Sequence, residues 1–513
     1  MHSNSQVDPS NSMLFNSFIF LGVFLPVTLI TWFLLKRLCG IRVALAGLIS
    51  ASFVFYATWK VSFLFVLLGS ISVNFWLAQQ ILTSRTQSQF SDAKSWLIAG
   101  LAFNLLVLFY FKYAHFVASN IYGLFDLAAP FPPILLPLAI SFVTFQKIAY
   151  LVDCYKGEVR NHDLLDYLFF VSFFPQLIAG PIVHHRPLIS QVSTLDNPLL
   201  LDSRAFSAGM AFFTIGLFKK VVLADSLAVF ASSAFQLSTE AALTMTQAWQ
   251  GMFAYSLQLY FDFSGYSDMA IGLALLFGFK LPINFLSPYK ADSIIEFWRR
   301  WHMTLSNFLR DYLYIPLGGN RHGNFAKYRN LFLTMLLAGL WHGAAWTFVL
   351  WGMLHGLLLL ANHAWRKLLP NPPPLLKPFF ICCTFIFVCL AWVLFRATDL
   401  TSALHFYVAL FDRSSFASLP IINTTNLIEL GELFVATRPE TGWHWIACGI
   451  FTVMFLPNTA NLLAYDPTPN QTYQLKASLG YQLLIGALSG LCLWFAIKWI
   501  AVRPATEFLY FNF

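Results

Sequence analysis

The chain has 513 residues, of which 58% are hydrophobic and 11% are charged, and its mean hydropathy is +0.65. These values exclude an ordinary water-soluble domain and place the chain in a lipid bilayer. The net charge of +8 does not require a nucleic-acid partner, because the basic residues cluster at the ends of apolar runs, as in the cytoplasmic loops of membrane proteins.

The chain begins with a polar extension, residues 1–12, that lacks the basic stretch of a cleavable signal peptide, and Met13 is an alternative start. The apolar run Met13–Leu35 follows, and Lys36, Arg37 and Arg42 come directly after it. Positively charged loops stay in the cytoplasm. We therefore predict a periplasmic N-terminus in the bacterial inner (cytoplasmic) membrane.

Further apolar runs recur along the chain, and about eleven or twelve of them are long enough to cross the bilayer as helices of roughly 20 residues. The clearest are Trp96–Phe116, Phe379–Phe395 and Gly480–Ile500. They lack the alternation of membrane β-barrel strands, so an all-α polytopic membrane protein is predicted. The seven cysteines lie in or beside these runs and are interpreted as apolar filling.

Carboxylates interrupt one apolar run at Asp262 and Asp268. Ionisable side chains at membrane depth are costly, so they mark either a binding site or a buried network that braces the fold. We favour bracing here.

Residues 280–329 form the most basic stretch and are predicted to be a cytoplasmic amphipathic segment. Within it, Trp298, Arg299, Arg300 and His302 combine basic and aromatic side chains at helical spacing. One interpretation is a helix at the lipid boundary. The other is a binding site in which the arginines hold the phosphates of a donor such as coenzyme A, or the acidic surface of a carrier protein.

The next basic residues, Arg366 and Lys367, predict that the intervening apolar stretch, residues 330–366, enters and leaves the membrane on one side. The apex of this hairpin falls near His342. A buried neutral imidazole there can take a proton from a hydroxyl that attacks a thioester. The alternative is a histidine that only hydrogen-bonds across helices.

The acidic stretch 401–442 is predicted to be a periplasmic connection within a transmembrane core of residues 13–478. Residues 479–513 are predicted to be a final span that returns the C-terminus, with the aromatic motif Phe508–Phe513, to the periplasm. Motifs such as His-Glu-x-x-His are absent from the sequence, so no metal site is predicted.

From about Met13 to Phe513 the sequence resembles the membrane-bound O-acyltransferase (MBOAT) family, in particular its bacterial alginate O-acetylation branch. The most specific passages are Tyr260–Ile271, Phe297–Gly319 and Gly339–Gly343. The resemblance implies the MBOAT fold, a ring of helices around a central funnel with re-entrant and interfacial helices. It also implies that His342 is the catalytic histidine and His302 the second characteristic polar residue.

The resemblance further implies acetyl-CoA as the acyl donor, bound near Trp298, Arg299 and Arg300, and transfer of the acetyl group across the membrane for O-acetylation of an exopolysaccharide such as alginate. The C-terminal motif is similar to one in this branch, in which a tyrosine is proposed to carry the acyl group. Tyr510 is then either an acyl relay or an interfacial aromatic anchor. The implied partners are a periplasmic O-acetyltransferase, the polysaccharide synthesis and export machinery and membrane lipid, with no nucleic acid.

Two other functions remain open from the sequence. One is D-alanyl or other acyl transfer to a cell-wall polymer within the same family. The other is a proton-coupled transporter whose path runs through buried histidines and carboxylates.

Overall fold

The structure is a computed structural model that describes residues 13–159, 162–195, 202–370, 373–415, 441–469, 478–503 and 506–512. Within these ranges every regular element is a helix. In the first half of the chain the α-helices are α1 (Leu25–Cys39), α2 (Ile41–Ala57), α3 (Val61–Thr86), α4 (Phe90–Leu108), α5 (Ala114–Gly123), α6 (Ile140–Lys156), α7 (Leu164–Ser172), α8 (Phe174–Leu177), α9 (His185–Thr194), α10 (Ser203–Phe218), α11 (Asp225–Thr239) and α12 (Met245–Leu276).

In the second half they are α13 (Ile294–Trp298), α14 (Met303–Leu309), α15 (Gly323–His342), α16 (Trp346–Leu368), α17 (Lys377–Arg396), α18 (Leu400–Phe411) and the helices Gly442–Phe455, Thr459–Leu462 and Leu479–Val502. Four π-helical turns occupy Phe20–Phe24, Phe109–Tyr113, Lys219–Ala224 and Arg310–Tyr314. Short 3₁₀ turns occupy Pro288–Lys290, Pro374–Leu376, Arg413–Ser415 and Leu509–Asn512.

Several of these helices are long and apolar enough to cross a membrane. Across the described ranges there are six: Phe20–Cys39, Val61–Thr86, Phe90–Gly123, Trp346–Leu368, Pro374–Arg396 and Leu479–Val502. The apolar runs named from the sequence overlap four of them, which confirms an all-α polytopic membrane protein. Ile41–Ala57, Leu400–Phe411 and Gly442–Phe455 are shorter apolar helices. The larger number of crossings and the ring around a funnel stay predictions.

The chain divides into two compact units, and the first takes its described residues from 13–217, 266–283 and 463–512. Paired amides join two of its membrane helices, because Asn74 on α3 and Asn104 on α4 each donate a side-chain hydrogen bond to the other, at 3.2 and 2.6 Å. Reciprocal bonds of this kind satisfy polar groups that would be costly in an apolar interior.

The second unit comprises residues 218–265 and 284–462, of which 371–372 and 416–440 lie outside the described residues. Its α15 and α16 pack against each other where two glycines face one another. A Cβ atom on Gly339 would lie 2.8 Å from the Cα of Gly352, so only glycine permits this approach. The stretch 401–442, expected to be a polar connection, begins with the apolar helix α18.

Candidate active site

His302 is fully buried, between α13 and α14. Its backbone is left-handed, with φ of 41°. Two backbone hydrogen bonds hold the loop around it: Met303 N–H donates to the Asn284 carbonyl, and Leu286 N–H donates to the Arg300 carbonyl, both at 3.0 Å. The helical spacing of residues 297–306 therefore does not produce one unbroken helix, because α13 ends at Trp298 and α14 begins at Met303.

The tautomer of His302 follows from its contact with Asn284. The backbone N–H of Thr304, which can only donate, points at Asn284 Oδ1 at 3.3 Å and so identifies that atom as the amide oxygen. His302 Nδ1 lies 3.1 Å from the same oxygen and must donate to it, which leaves the lone pair on Nε2. Burial lowers the pKa of this imidazole to about 3, so the ring is neutral at physiological pH.

His342 is the last residue of α15 and is 4% exposed. The crossing of Gly339 and Gly352 fixes the end of α15 against α16, one helical turn before His342. Gly343 then turns the chain toward α16, and a side chain there would clash with the ring of Phe348. Two positions that only glycine can occupy, Gly339 and Gly343, therefore determine where His342 lies.

Around His342 the surroundings are aromatic. Its ring lies 5.2 Å from that of Trp351, at 90°, and 5.1 Å from that of Phe395. Trp351 in turn stacks on Trp392 at 5.6 Å, and Trp392 contacts Trp301 at 5.0 Å. We call Trp301, Trp351 and Trp392 the tryptophan cluster.

The tryptophan cluster connects the two histidines predicted from the sequence. At one end His342 contacts Trp351, and at the other Phe285 lies between Trp301, at 5.0 Å, and His302, at 6.5 Å. All three tryptophans are at most 2% exposed, so the rings between the histidines are shielded from bulk solvent. In such surroundings electrostatic and proton-transfer effects are stronger than in water.

A third buried histidine of this unit, His355, was not predicted from the sequence. It lies one turn after Trp351 on α16, with the two rings 4.7 Å apart, and it is fully buried. Its Nδ1 accepts a hydrogen bond from the indole N–H of Trp298 at 3.3 Å. An isolated histidine in an apolar helix belongs to no recognisable sequence motif. The spacing of His355 from Trp351 does predict, however, that the two side chains lie on one face of the helix.

The basic residues predicted to bind a donor share one carboxylate. Arg299 and Arg300 both pair with Glu296 at 3.3 Å, and the Arg299 side chain is 66% exposed. Trp298 points the other way, toward His355. Exposed ion pairs of this kind are weak, so Glu296 does not prevent the arginines from binding a phosphate.

An ion pair braces the interior of this unit. Asp262 on α12 accepts from Lys220 at 2.7 Å, and Lys220 also contacts Asp225 at 2.9 Å. Lys220 belongs to the π-helical turn Lys219–Ala224, which directs it inward. In the sequence, Asp262 is recognisable as a carboxylate within an apolar run. Lys220 is not recognisable as its partner, because two adjacent lysines near a helix end suggest the membrane boundary.

Tyr510 belongs to the first unit, in the 3₁₀ turn Leu509–Asn512, and its side chain lies outside the described residues. Its neighbours are packed inward. Phe508 is 3% exposed and stacks on Tyr266 at 4.6 Å, while Phe511 contacts Trp59 edge-on at 4.9 Å. Of the motif's described side chains, Phe508 is therefore buried in this unit and Phe511 packs against it.

The fold and this site define a multi-pass membrane enzyme with a buried histidine centre. The model of the membrane-bound O-acyltransferase family matches residues 155–404, a range that includes both His302 and His342. With the close relatives described next, this match shows that the chain belongs to the membrane-bound O-acyltransferase family.

Several similar proteins cover most of the chain. A peptidoglycan O-acetyltransferase of Helicobacter pylori is 45% identical over 76% of this chain and 78% of its own length. A probable alginate O-acetylase of Pseudomonas putida is 39% identical over 98% of this chain and 100% of its own length. A teichoic acid D-alanyltransferase of Streptococcus thermophilus is 29% identical over 45% of this chain and 57% of its own.

Proposed function

We propose that the chain moves an acetyl group from acetyl-CoA in the cytoplasm across the inner membrane, for O-acetylation of an extracytoplasmic polysaccharide. The names of two relatives that each match at least three quarters of the chain, a peptidoglycan O-acetyltransferase and a probable alginate O-acetylase, support an acetyl donor and a polysaccharide acceptor. The D-alanyltransferase matches less of the chain at lower identity, so D-alanyl transfer is the less supported alternative.

In the proposed reaction His342 is the general base. It takes the proton of the acceptor hydroxyl as the oxygen attacks the thioester carbonyl. The new C–O bond forms, the C–S bond breaks, and the proton passes from His342 to the departing coenzyme A sulfur. The observation that carries this role is the placement of a buried imidazole at the end of a helix fixed by Gly339 and Gly352.

The remaining predicted residues have supporting roles. Arg299 and Arg300, with Trp298, bind the phosphates and adenine of the donor. His302 offers Nε2 as a second proton acceptor, oriented by Asn284. Tyr510 supplies the hydroxyl that first receives the acetyl group, before a periplasmic O-acetyltransferase passes it to the polysaccharide.

The test is acetyl transfer by the purified full chain in proteoliposomes that contain radiolabelled acetyl-CoA. His342→Gln keeps the side-chain size, and we expect it to lower turnover by at least about 100-fold, the contribution of a general base. His444→Gln makes the same change at an exposed histidine of the same unit and is expected to retain activity. Full turnover in the His342 variant would remove His342 from the mechanism.

A second experiment identifies donor and acceptor. Acetyl-CoA and a D-alanyl carrier protein are offered separately to the same proteoliposomes, and the cell's glycans are analysed for acetyl content after deletion of the gene. We expect the proteoliposomes to consume acetyl-CoA and not the D-alanyl carrier protein. After deletion of the gene, we expect one exopolysaccharide or cell-wall polymer to lose acetyl groups.

A third experiment tests whether Tyr510 carries the acetyl group. Mass spectrometry is used to detect acetyl on the C-terminal peptide, with Tyr510→Phe as the variant that cannot carry it and Tyr122→Phe as the control.

A further inference from the structure

A cavity of about 470 Å³ opens between the beginning of α15 and the end of α16. It is lined by Tyr328, Leu360, Ala364, Lys367 and Leu368. Its volume falls within the range of about 300–1,000 Å³ typical of small-ligand sites. The cavity lies away from His302, His342 and the tryptophan cluster, none of which line it.

Two lysines lie over the ring of Tyr328, which lines this cavity; Lys367 itself lines the cavity and Lys327 does not. The ammonium group of Lys327 lies 5.3 Å from the centroid of the Tyr328 ring, and that of Lys367 lies 5.6 Å from it. In the part of the chain that the structure describes, neither lysine forms an ion pair with a carboxylate. Within the described residues, the cavity therefore combines an apolar wall with one lining lysine, Lys367, and a second lysine, Lys327, over the same tyrosine ring, neither of which pairs with a carboxylate.

The exposed side chains nearby place the cavity at a membrane boundary. Leu368 is 80% exposed and Trp365 is 48% exposed, both in the last turns of a helix long enough to span the bilayer. Tryptophan and tyrosine concentrate at the level of lipid headgroups, and lysine near the end of a span extends its charge to the same level.

We infer that this cavity binds one anionic phospholipid, with an acyl chain against Leu360, Ala364 and Leu368 and the headgroup phosphate between Lys327 and Lys367. A phosphate there is attracted by the charges of both ammonium groups. The adjacent apolar wall distinguishes a lipid from a soluble phosphate, which has no hydrocarbon to bury. This inference does not rest on the proposed acetyl transfer, since the cavity contains none of the residues assigned to it.

The test is native mass spectrometry of the full chain in detergent with added phosphatidylglycerol or phosphatidylcholine. We expect the protein to retain one molecule of phosphatidylglycerol, and we expect phosphatidylcholine not to replace it. The double variant Lys327→Gln with Lys367→Gln should bind it at least about tenfold more weakly, because each lysine contributes about 1 kcal/mol of attraction to an anionic lipid. Equal retention of the two lipids would overturn the inference.

The matched control removes two cations that also lie over aromatic rings but line no part of this cavity. Lys60 lies 5.6 Å from the Phe63 centroid and Lys498 lies 4.2 Å from that of Trp494, so Lys60→Gln with Lys498→Gln should leave the retained lipid in place. Loss of the lipid in this control would show nonspecific charge attraction and would contradict a defined site.

Ala364→Trp tests the apolar wall independently, because Ala364 is exposed and its enlargement fills the cavity without disturbing the core. We expect it to displace the lipid while both lysines remain. Glycerophosphoglycerol, which has the headgroup without acyl chains, should not compete at concentrations where phosphatidylglycerol binds. Competition by this soluble headgroup, or by inorganic phosphate, would show a simple anion site and overturn the lipid assignment.

Discussion

The indole N–H of Trp298 donates a hydrogen bond to Nδ1 of His355, across 3.3 Å, and so joins the short helix α13 to the middle of α16. Trp298 directly precedes the arginines proposed to bind the donor, and His355 lies against Trp351, whose other side contacts His342. This bond therefore links the proposed donor-binding segment to the surroundings of the proposed base.

The bond between Trp298 and His355 should give a measurable coupling free energy. In a double-mutant cycle of Trp298→Phe and His355→Leu, we expect a coupling of about 0.5–1.5 kcal/mol in the free energy of unfolding, because either change alone removes the same hydrogen bond. Denaturant unfolding in detergent micelles measures it. Additive effects of the two changes would show that the bond contributes nothing.

Replacement of Lys220 should be more damaging than replacement of the lysine beside it. Lys220→Met removes the cation paired with Asp225 and Asp262, and breaking a buried pair of this kind costs about 3–5 kcal/mol. Lys219→Met removes one hydrogen bond to the Thr459 hydroxyl and should cost about 1 kcal/mol. Thermal unfolding of both variants makes the comparison, and adding Asp262→Asn to Lys220→Met should restore part of the loss.

The helix crossing at Gly339 should tolerate no methyl group. We expect Gly339→Ala to separate α15 from α16, to destabilise the protein by about 1–3 kcal/mol and to lower turnover by moving His342. Gly486→Ala is the control, because a Cβ atom there meets nothing within 4 Å and alanine is favoured in a helix. Unchanged stability and turnover for Gly339→Ala would refute this account of how His342 is positioned.

His302 should make the protein sensitive to acid. Its folded pKa is about 3, whereas an unfolded histidine titrates near 6.5, so between these values only the unfolded chain takes up the proton. The contribution of neutral His302 to the free energy of unfolding is therefore fully present above pH 6.5. It decreases as the pH falls below that value, by about 1.4 kcal/mol per pH unit. Unfolding of the wild type and of His302→Gln at pH 7.5 and 5 should show a smaller loss in the variant; equal losses would mean that His302 is not buried as described.

The sequence alone was sufficient to predict the helices that depend on a long hydrophobic pattern. The apolar runs predicted the helices Phe20–Cys39, Phe90–Gly123, Pro374–Arg396 and Leu479–Val502, because continuous hydrophobicity over some 20 residues matches the thickness of the hydrocarbon core. The sequence also drew attention to His342, because glycines and a basic flank mark its neighbourhood, and its catalytic role stays a prediction.

What the sequence could not provide depends on contacts between distant segments. The break at His302 follows from hydrogen bonds to Asn284 and Leu286, which local spacing does not reveal. The partner of Asp262 is a lysine on another helix, and the tryptophan cluster assembles from α16, α17 and the residues between α13 and α14. No single segment of the sequence predicts these contacts.

The first unit is built from three pieces of chain, and the last contributes Phe508 and Phe511 to its interior. Since domains fold as complete units, the segment that carries Phe508 and Phe511 must be synthesised before this unit can close around Tyr266 and Trp59. A unit that takes its interior from pieces so far apart along the chain is completed late in synthesis, after residues 218–265 and 284–462 of the second unit have been made.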